Sequence, residues 1–330
     1  MARVVVIGDG GWGTALALVA HHNGHETRVW GAFEDNIAAI RRDGENRTFL
    51  PGVPLPDGLL WTTDRAEACR AADLAILAVP TRYFRSVAAS FRDAIPAETG
   101  LVTVAKGLDR ERHIRMSEVA VEELGRTPVA ALSGPSHAEE VARGVPTAVT
   151  VAGQDNAYSE AVQHLLGNKR FRVYTSGDIV GVELGGALKN VIAIGVGVSD
   201  GLGFGDNTRA ALITRGLAEI ARLGCALGAA PETFAGLAGM GDLIVTCTSR
   251  HSRNRAVGER LGRGESIESI LSGMRQVAEG VWNCESAVAL ADRHGIEMPV
   301  SREVHAILRA GKAPAAAVES LLGRDFKPER

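Results

Sequence analysis

Residues 180–198 form a long apolar run rich in small side chains, and it carries one lysine and one asparagine side by side, Lys189 and Asn190. A cation among apolar neighbours is costly to bury unless it is paired. Two readings stand: the lysine snorkels from a core helix to solvent, or it is held in place for proton transfer. A second candidate is Lys106, directly after the apolar residues 101–105 and before Gly107. A third is the turn Ser133-Gly134-Pro135-Ser136, again at the end of an apolar run. A fourth, Thr246-Cys247-Thr248-Ser249-Arg250-His251-Ser252-Arg253-Asn254-Arg255, concentrates hydroxyls, guanidinium groups and an amide ahead of a helical pattern. That set suits a phosphate, since arginine offers a bidentate fork and a helix start offers backbone donors. A solvated basic loop has the same composition.

The elements that must position these groups begin at residues 4–7, a continuous apolar run of the kind a parallel strand covered on both faces shows. Gly8-Asp9-Gly10-Gly11-Trp12-Gly13 follows at once, and residues 14–20 read as a helix. G-x-G-x-x-G between strand and helix permits a tight turn and brings a pyrophosphate close to the helix N-terminus. A purely structural glycine turn is the alternative. A second strand is expected over residues 27–30. The acid that would bind a ribose hydroxyl, roughly 20 residues past the glycines, is missing from its end. Trp30-Gly31-Ala32-Phe33 stands there instead, and Glu34 and Asp35 fit the first turn of a helix, where carboxylates suit the dipole. Residues 50–56 are a proline-rich loop.

Further strands are expected over 74–79, 101–105, 129–132, 147–151 and 171–174, with helices over 83–91, 114–124, 138–142 and 156–166. This alternation predicts a doubly wound, mainly parallel α/β sheet of the Rossmann type over residues 1–178. The ligand crevice of such a sheet lies outside the carboxyl ends of its strands. The glycine turn, Lys106 and the turn at 133–136 all fall there. Past Asp178 the strand pattern stops, and helical patterns over 180–198, 209–223, 232–238, 255–263, 266–272, 281–294 and 301–309 predict an all-helical domain over 179–330. Gly239-Met240-Gly241-Asp242 reads as the end of one of these helices.

A chain of 330 residues is long for one core, in line with two domains. The 45% hydrophobic and 23% charged content is that of a soluble globular protein, and a net charge of −3 gives no global attraction to nucleic acid or anionic membranes. The basic run at 246–255 has no interleaved aromatics, so no nucleic-acid partner is expected. Four scattered cysteines without a C-x-x-C pair favour reduced thiols and a cytoplasmic location. No secretory signal peptide is evident. Residues 180–198 are nearly long enough to span a bilayer, but Glu183, Lys189 and several glycines favour a buried helix. The histidines show no ligand spacing with cysteine or carboxylate, so no metal site is expected.

Taken together the motifs resemble the bacterial NAD(P)-dependent glycerol-3-phosphate dehydrogenases, over nearly the whole chain. The resemblance rests on Gly8 to Gly13 with Thr14-Ala15-Leu16-Ala17, Lys106-Gly107-Leu108, Ser133-Gly134-Pro135-Ser136 and Glu183-Leu184-Gly185-Gly186-Ala187-Leu188-Lys189-Asn190. It continues through Gly239-Met240-Gly241-Asp242-Leu243, Thr246-Cys247, Ser252-Arg253-Asn254 and Val277-Ala278-Glu279-Gly280. It implies Lys189 as the general acid/base, with Asn190 beside it. It implies substrate contacts from Lys106, Gly134, Ser136, Asp242, Ser252, Arg253 and Asn254. Cofactor contacts would come from Gly8, Gly10, Gly11, Trp12, Gly13, Ala32, Lys106, Ala138, Arg253, Val277 and Glu279. It further implies NAD or NADP as cofactor, dihydroxyacetone phosphate and sn-glycerol 3-phosphate as substrate and product, a homodimer, and a supply role for phospholipid synthesis. Two positions depart from the family pattern: Gly11 stands where serine is frequent, and Ala32 where arginine or histidine is frequent. An arginine at 32 would pair a 2′-phosphate, so its absence leaves NADH and NADPH both usable without a strong bias to NADPH. Another Lys-Asn-type hydroxy-acid dehydrogenase and a non-catalytic dinucleotide-sensing module are the competing readings.

Overall fold

The computed structural model describes residues 1–125, 128–274, 277–326 and 328–329. The chain divides into two compact units, Met1–Glu183 and Leu184–Arg330. The first runs β1 (Arg3–Ile7), α1 (Gly11–His22), β2 (Glu26–Trp30), α2 (Glu34–Asp43), β3 (Leu60–Thr62), α3 (Arg65–Cys69), β4 (Leu74–Leu77) and α4 (Thr81–Ser90). It continues with β5 (Gly100–Thr103), α5 (Met116–Leu124), β6 (Val129–Ser133), α6 (Ala138–Ala142), β7 (Thr147–Gly153), α7 (Asn156–Leu166) and β8 (Phe171–Ser176). The strands form one sheet in the order β3-β2-β1-β4-β5-β6-β7-β8. Every pairing is parallel except β6 with β7. This is the doubly wound sheet that the alternation predicts, with its order reversing beside β1.

The burial of β1 explains its unbroken apolar run. Val4 and Val6 point into one core with Leu16 and Val19 of α1, while Val5 and Ile7 point into the other with Phe84, Phe91 and Met116. A strand with a core on each face has no position for a polar side chain. The short β3 and the helices α2 and α3 lie in a stretch where period and turn signals are weaker, and only the first turn of α2 was legible through Glu34 and Asp35.

Helix α8 (Ile179–Gly201) starts in the first unit and continues into the second. It is long and apolar enough to cross a membrane, yet 89% of its most apolar window is buried inside the protein. The second unit then holds α9 (Asp206–Ala226), α10 (Pro231–Ala235), α11 (Asp242–Thr248), α12 (Arg253–Gly262), α13 (Ile267–Ser272), α14 (Gly280–His294), α15 (Pro299–Ala310) and α16 (Pro314–Leu322). Val191, Ile194 and Val198 of α8 form the middle of its core with Val257 and Leu261 of α12, Val281 of α14 and Val304 of α15.

Helix α8 and α12 cross almost backbone to backbone. A β-carbon placed on Gly258 would stand 2.0 Å from the carbonyl oxygen of Ile194, and one on Gly197 would stand 2.1 Å from that of Arg255. Only glycine permits this approach, and it fixes where the start of α12 lies along α8. Glu219 of α9 organises the other side of the unit. Its carboxylate accepts from the backbone N–H groups of Val300 and Ser301 at 2.6 and 3.1 Å, satisfying donors at the start of α15. Burial pushes its acid strength down, raising the pKa against these hydrogen bonds.

Two boundaries differ from the sequence reading. Asp242 does not end a helix. The π-helical turn Leu237–Gly241, closed by the Gly241 N–H on the Gly236 carbonyl at 3.1 Å, carries the path onward and Asp242 opens α11. Likewise Ser252, Arg253 and Asn254 are not a loop ahead of a helix. Ser252 caps α12 through its Oγ, which accepts from the Arg255 N–H at 3.2 Å, and the other two form the first turn.

Candidate active site

In the first unit, Gly8 closes β1 with φ of 121°, and a β-carbon there would lie 2.5 Å from the Ala78 carbonyl oxygen. Its N–H donates to the Trp30 carbonyl at 2.9 Å, which ties the turn to the end of β2. Gly10 precedes α1, and Gly11, Trp12 and Gly13 form its first turn, with no side-chain cap and no acid in that turn. A β-carbon on Gly10 would meet nothing within 4 Å. Uncapped amides beside open space at a helix start fit a pyrophosphate. Ala138 opens α6 and lies against Gly11, where a β-carbon would stand 3.6 Å from its own. Ala32 is exposed just past β2. Trp12 packs at a tilt on Phe171, and its buried Nε1 has no hydrogen-bond partner among the described residues.

Lys106, Gly134 and Ser136 come together at the carboxyl ends of β5 and β6. The Lys106 Nζ donates to the Gly134 carbonyl at 2.8 Å and to Ser136 Oγ at 3.2 Å, and Ser136 Oγ donates to the same carbonyl at 2.8 Å. The positive φ of Gly134, 138°, turns the chain sharply enough to present that carbonyl. Also in this unit, Glu183 is buried on Arg115 and Ser117: it accepts from Arg115 Nη1 at 2.9 Å, from the Ser117 N–H at 2.8 Å and from Ser117 Oγ at 2.5 Å. Burial raises its pKa, while Arg115 and Ser117 oppose the shift.

In the second unit the lysine of α8 does not snorkel. Lys189 is only 5% exposed, and its Nζ donates to Asp242 Oδ1 at 2.5 Å and to Thr246 Oγ1 at 2.6 Å. Asp242 and Thr246 stand one helical turn apart on α11, so a single face of that helix receives the ammonium. Thr246 Oγ1 donates to the Asp242 carbonyl at 2.7 Å, which holds its oxygen towards Lys189. A buried ion pair of this kind gives little net stability, because desolvation offsets the Coulomb gain. Its effect is to place a proton-bearing nitrogen at a defined point in a water-poor setting.

Asn190, 5% exposed, is held in the same unit. Its Nδ2 donates to the Gly186 carbonyl at 3.3 Å, and its Oδ1 accepts from Asn254 Nδ2 at 2.8 Å. Asn254 also accepts the Gly280 N–H at 2.9 Å, and Asn283 Nδ2 donates to the Ala187 carbonyl at 3.0 Å. Arg253 is exposed, and its Nη1 donates to the Val277 carbonyl at 2.8 Å. Glu279 precedes α14. The second unit therefore holds two buried polar clusters on adjacent residues of α8, Lys189 with Asp242 and Thr246, and Asn190 with Asn254, and Arg253 lies beside Val277 at its own surface. Thr246 stood in the sequence only as part of the phosphate-suited run 246–255, and the structure turns it to Lys189 instead. Asn283 had no functional assignment from sequence. Among the described residues, no group of three or more His, Cys, Asp or Glu side chains could hold a metal ion.

Comparison with known proteins gives a consistent result. A family model described as the NAD-dependent glycerol-3-phosphate dehydrogenase N-terminus matches residues 3–159, and the corresponding C-terminus model matches residues 178–319. The chain is 49% identical to the glycerol-3-phosphate dehydrogenase (NAD(P)+) of Geobacillus kaustophilus, covering 100% of this chain and 96% of that one. It is 50% identical to the enzyme of the same name from Moorella thermoacetica, covering 97% and 96%. The crystal structure of glycerol-3-phosphate dehydrogenase from Coxiella burnetii is similar with a TM-score of 0.94 and 40% identity, over 98% of this chain and 99% of that one.

Proposed function

The chain belongs to the NAD-dependent glycerol-3-phosphate dehydrogenase family, and from that premise we propose that it reduces dihydroxyacetone phosphate to sn-glycerol 3-phosphate with Lys189 as the general acid. The observation that carries this assignment is the burial of the Lys189 ammonium between Asp242 and Thr246. When bound, the nicotinamide cofactor supplies the hydride. Lys189 then delivers a proton from Nζ to the carbonyl oxygen as negative charge develops on it, and in the reverse direction takes that proton back. Asp242 and Thr246 orient Nζ. Asn190 presents an amide next to the lysine on α8, held at both ends by Gly186 and Asn254.

The substrate phosphate is assigned to the start of α12. Arg253 brings a planar guanidinium and the capped helix brings its dipole, a combination suited to a dianion. Binding energy from that remote group orients the carbonyl at the reacting end. The first unit is assigned the cofactor, through the glycine turn, Ala138 and the Lys106–Gly134–Ser136 cluster. The product is assigned to glycerophospholipid assembly, and a cytoplasmic setting agrees with four cysteines that form no disulfide.

The test is a spectrophotometric assay of the purified chain with NADH or NADPH and three substrates: dihydroxyacetone phosphate, unphosphorylated dihydroxyacetone and a panel of 2- and 3-oxo acids. Turnover of the phosphorylated ketone, with only feeble turnover of unphosphorylated dihydroxyacetone and none of the oxo acids, is the expected result. Faster turnover of an oxo acid would replace the proposed substrate, and cofactor binding without turnover of any of them would remove the catalytic assignment.

A further inference from the structure

The acid that a dinucleotide site usually places at the end of β2 is absent from the sequence of that strand, yet the structure puts a carboxylate there. It comes from the glycine turn. Asp9 follows Gly8, and its side chain folds back over the carboxyl end of β2. A β-carbon on Gly31 would stand 2.8 Å from both Cγ and Oδ2 of Asp9. Gly31 thus makes room for this carboxylate and for Ile37 Cδ1, 2.6 Å from the same point, and a side chain at 31 would crowd both.

The carboxylate is also held in place. Asn36, in the first turns of α2, donates through Nδ2 to Asp9 Oδ2 at 2.6 Å, and Thr48 Oγ1 in turn donates to Asn36 Oδ1 at 2.9 Å. The turn that carries Asp9 is anchored by Asn46, whose Nδ2 donates to the Asp9 carbonyl at 2.8 Å and to Thr14 Oγ1 at 2.9 Å. Asp9 is 9% exposed, and no Lys, Arg or His side chain among the described residues pairs with it. Burial pushes its pKa up and the Asn36 amide opposes the rise. A carboxylate kept in a buried place with one amide donor and no cation is costly to bury. It is, however, an acceptor aimed at the edge where a ribose is recognised.

We propose that Asp9 supplies the missing acid: it accepts a hydrogen bond from the adenosine ribose hydroxyls of the cofactor and disfavours a 2′-phosphate. The argument rests on the reading of the first unit as the cofactor-binding unit. Its physical basis is simple. A ribose diol donates to a carboxylate, whereas a 2′-phosphate brings two negative charges against it and has no proton to give at neutral pH. Ala32, exposed at the same strand end, offers no cation to compensate. Asp9 is therefore a specificity-determining residue that favours NAD over NADP.

Binding of NADH and of NADPH to the purified full chain, followed by nicotinamide fluorescence without substrate, tests this directly. The wild type is expected to bind NADH at least about tenfold more tightly than NADPH, a difference of roughly 1.4 kcal/mol. In Asp9→Asn the ratio should narrow by about tenfold, with NADPH binding tightening and NADH binding weakening. Asp9→Ser, smaller and uncharged, should narrow the ratio as Asp9→Asn does, with NADPH binding tighter and NADH binding weaker, and serves if the first variant does not fold. Equal affinities in the wild type, or variants in which both affinities move together, would overturn the proposal. A separate assay with dihydroxyacetone phosphate keeps the two readings apart. Absence of turnover with an NADH-selective binding ratio would remove the proposed reaction and leave Asp9 standing. Turnover with equal affinities would do the reverse.

Discussion

The side-chain amide of Asn254 donates to Oδ1 of Asn190 at 2.8 Å, across a crossing of two helices that only glycine permits. Asn254 lies in the first turn of α12 and Asn190 in the middle of α8, next to Lys189. With its other end on the Gly280 N–H, Asn254 joins α8, α12 and the start of α14 through one buried side chain. Replacing it by aspartate keeps an acceptor for Gly280 but sets an oxygen against Asn190 Oδ1. Asn254→Asp is therefore expected to lower kcat/KM by at least tenfold, the equivalent of about 1.4 kcal/mol. Asn254→Ala should also lower Tm, because two buried groups lose a partner at about 1–3 kcal/mol each. Wild-type kcat/KM in both variants would show that Asn190 needs no such restraint.

Lys189→Met should reduce kcat by about 10²–10⁴, the range for a lost acid/base group. The structure adds a second effect. The substitution strands Asp242, 1% exposed, without its ammonium, and breaking a buried pair in this way costs about 3–5 kcal/mol. A double variant, Lys189→Met with Asp242→Asn, should regain most of the lost Tm and none of the lost activity. Thermal melts and steady-state kinetics on both proteins check this. Near-normal turnover in the single variant would leave Lys189 with a packing role alone.

Gly258→Ala places a methyl where only 2.0 Å separates it from the Ile194 carbonyl, so the two helices must part. A loss of about 1–3 kcal/mol is the usual consequence of overpacking, and Asn254 and Arg253 should move with α12, lowering kcat/KM as well. Gly273→Ala is the control: its nearest neighbours would be 3.8 and 3.9 Å away. If the two variants melt and turn over alike, the crossing is not tight in solution.

Arg253→Ala should cost about 1.5–3 kcal/mol of binding to a charged group, or roughly 10–150-fold in kcat/KM on dihydroxyacetone phosphate. Activity on unphosphorylated dihydroxyacetone should change little. Arg253→Lys should recover only part, since an ammonium lacks the planar fork and cannot pair the Val277 carbonyl and a phosphate in the same geometry. Equal losses on both substrates would place Arg253 outside phosphate recognition.

Of the four cysteines, Cys225 is exposed, whereas Cys69, Cys247 and Cys284 are buried. Burial pushes the Cys247 and Cys284 thiols up to about 12. Titration of the native protein with a chromogenic disulfide near pH 8 should therefore show one fast thiol, lost in Cys225→Ser, and the remainder only after unfolding. Rapid modification of Cys247, which adjoins Thr246, would mean that α11 opens readily.

The sequence by itself determined the parts whose signals lie in contiguous residues. Unbroken apolar runs marked strands with a core on each face, a glycine turn between strand and helix marked a dinucleotide site, and the loss of strand period past Asp178 marked the change to helices. It also brought forward Lys106, Ser136, Lys189, Asn190 and Arg253 as chemistry-bearing groups. It left the state of Lys189 open, because whether a lysine in an apolar helix reaches water depends on what packs against it. Asp242 and Thr246 answer that question from 53 and 57 residues away. The weak turn signals around residues 237–242 were misread for a related reason: glycines that stop a helix in isolation allow a π-helical turn when packing continues the path. Asp9 lies within a motif that the sequence displayed plainly, yet only the fold shows its carboxylate resting on Gly31 and held by Asn36, 27 residues on. Local propensity and periodicity are properties of neighbours along the chain, while the direction and ionic environment of a side chain are set by groups that only the tertiary structure brings beside it.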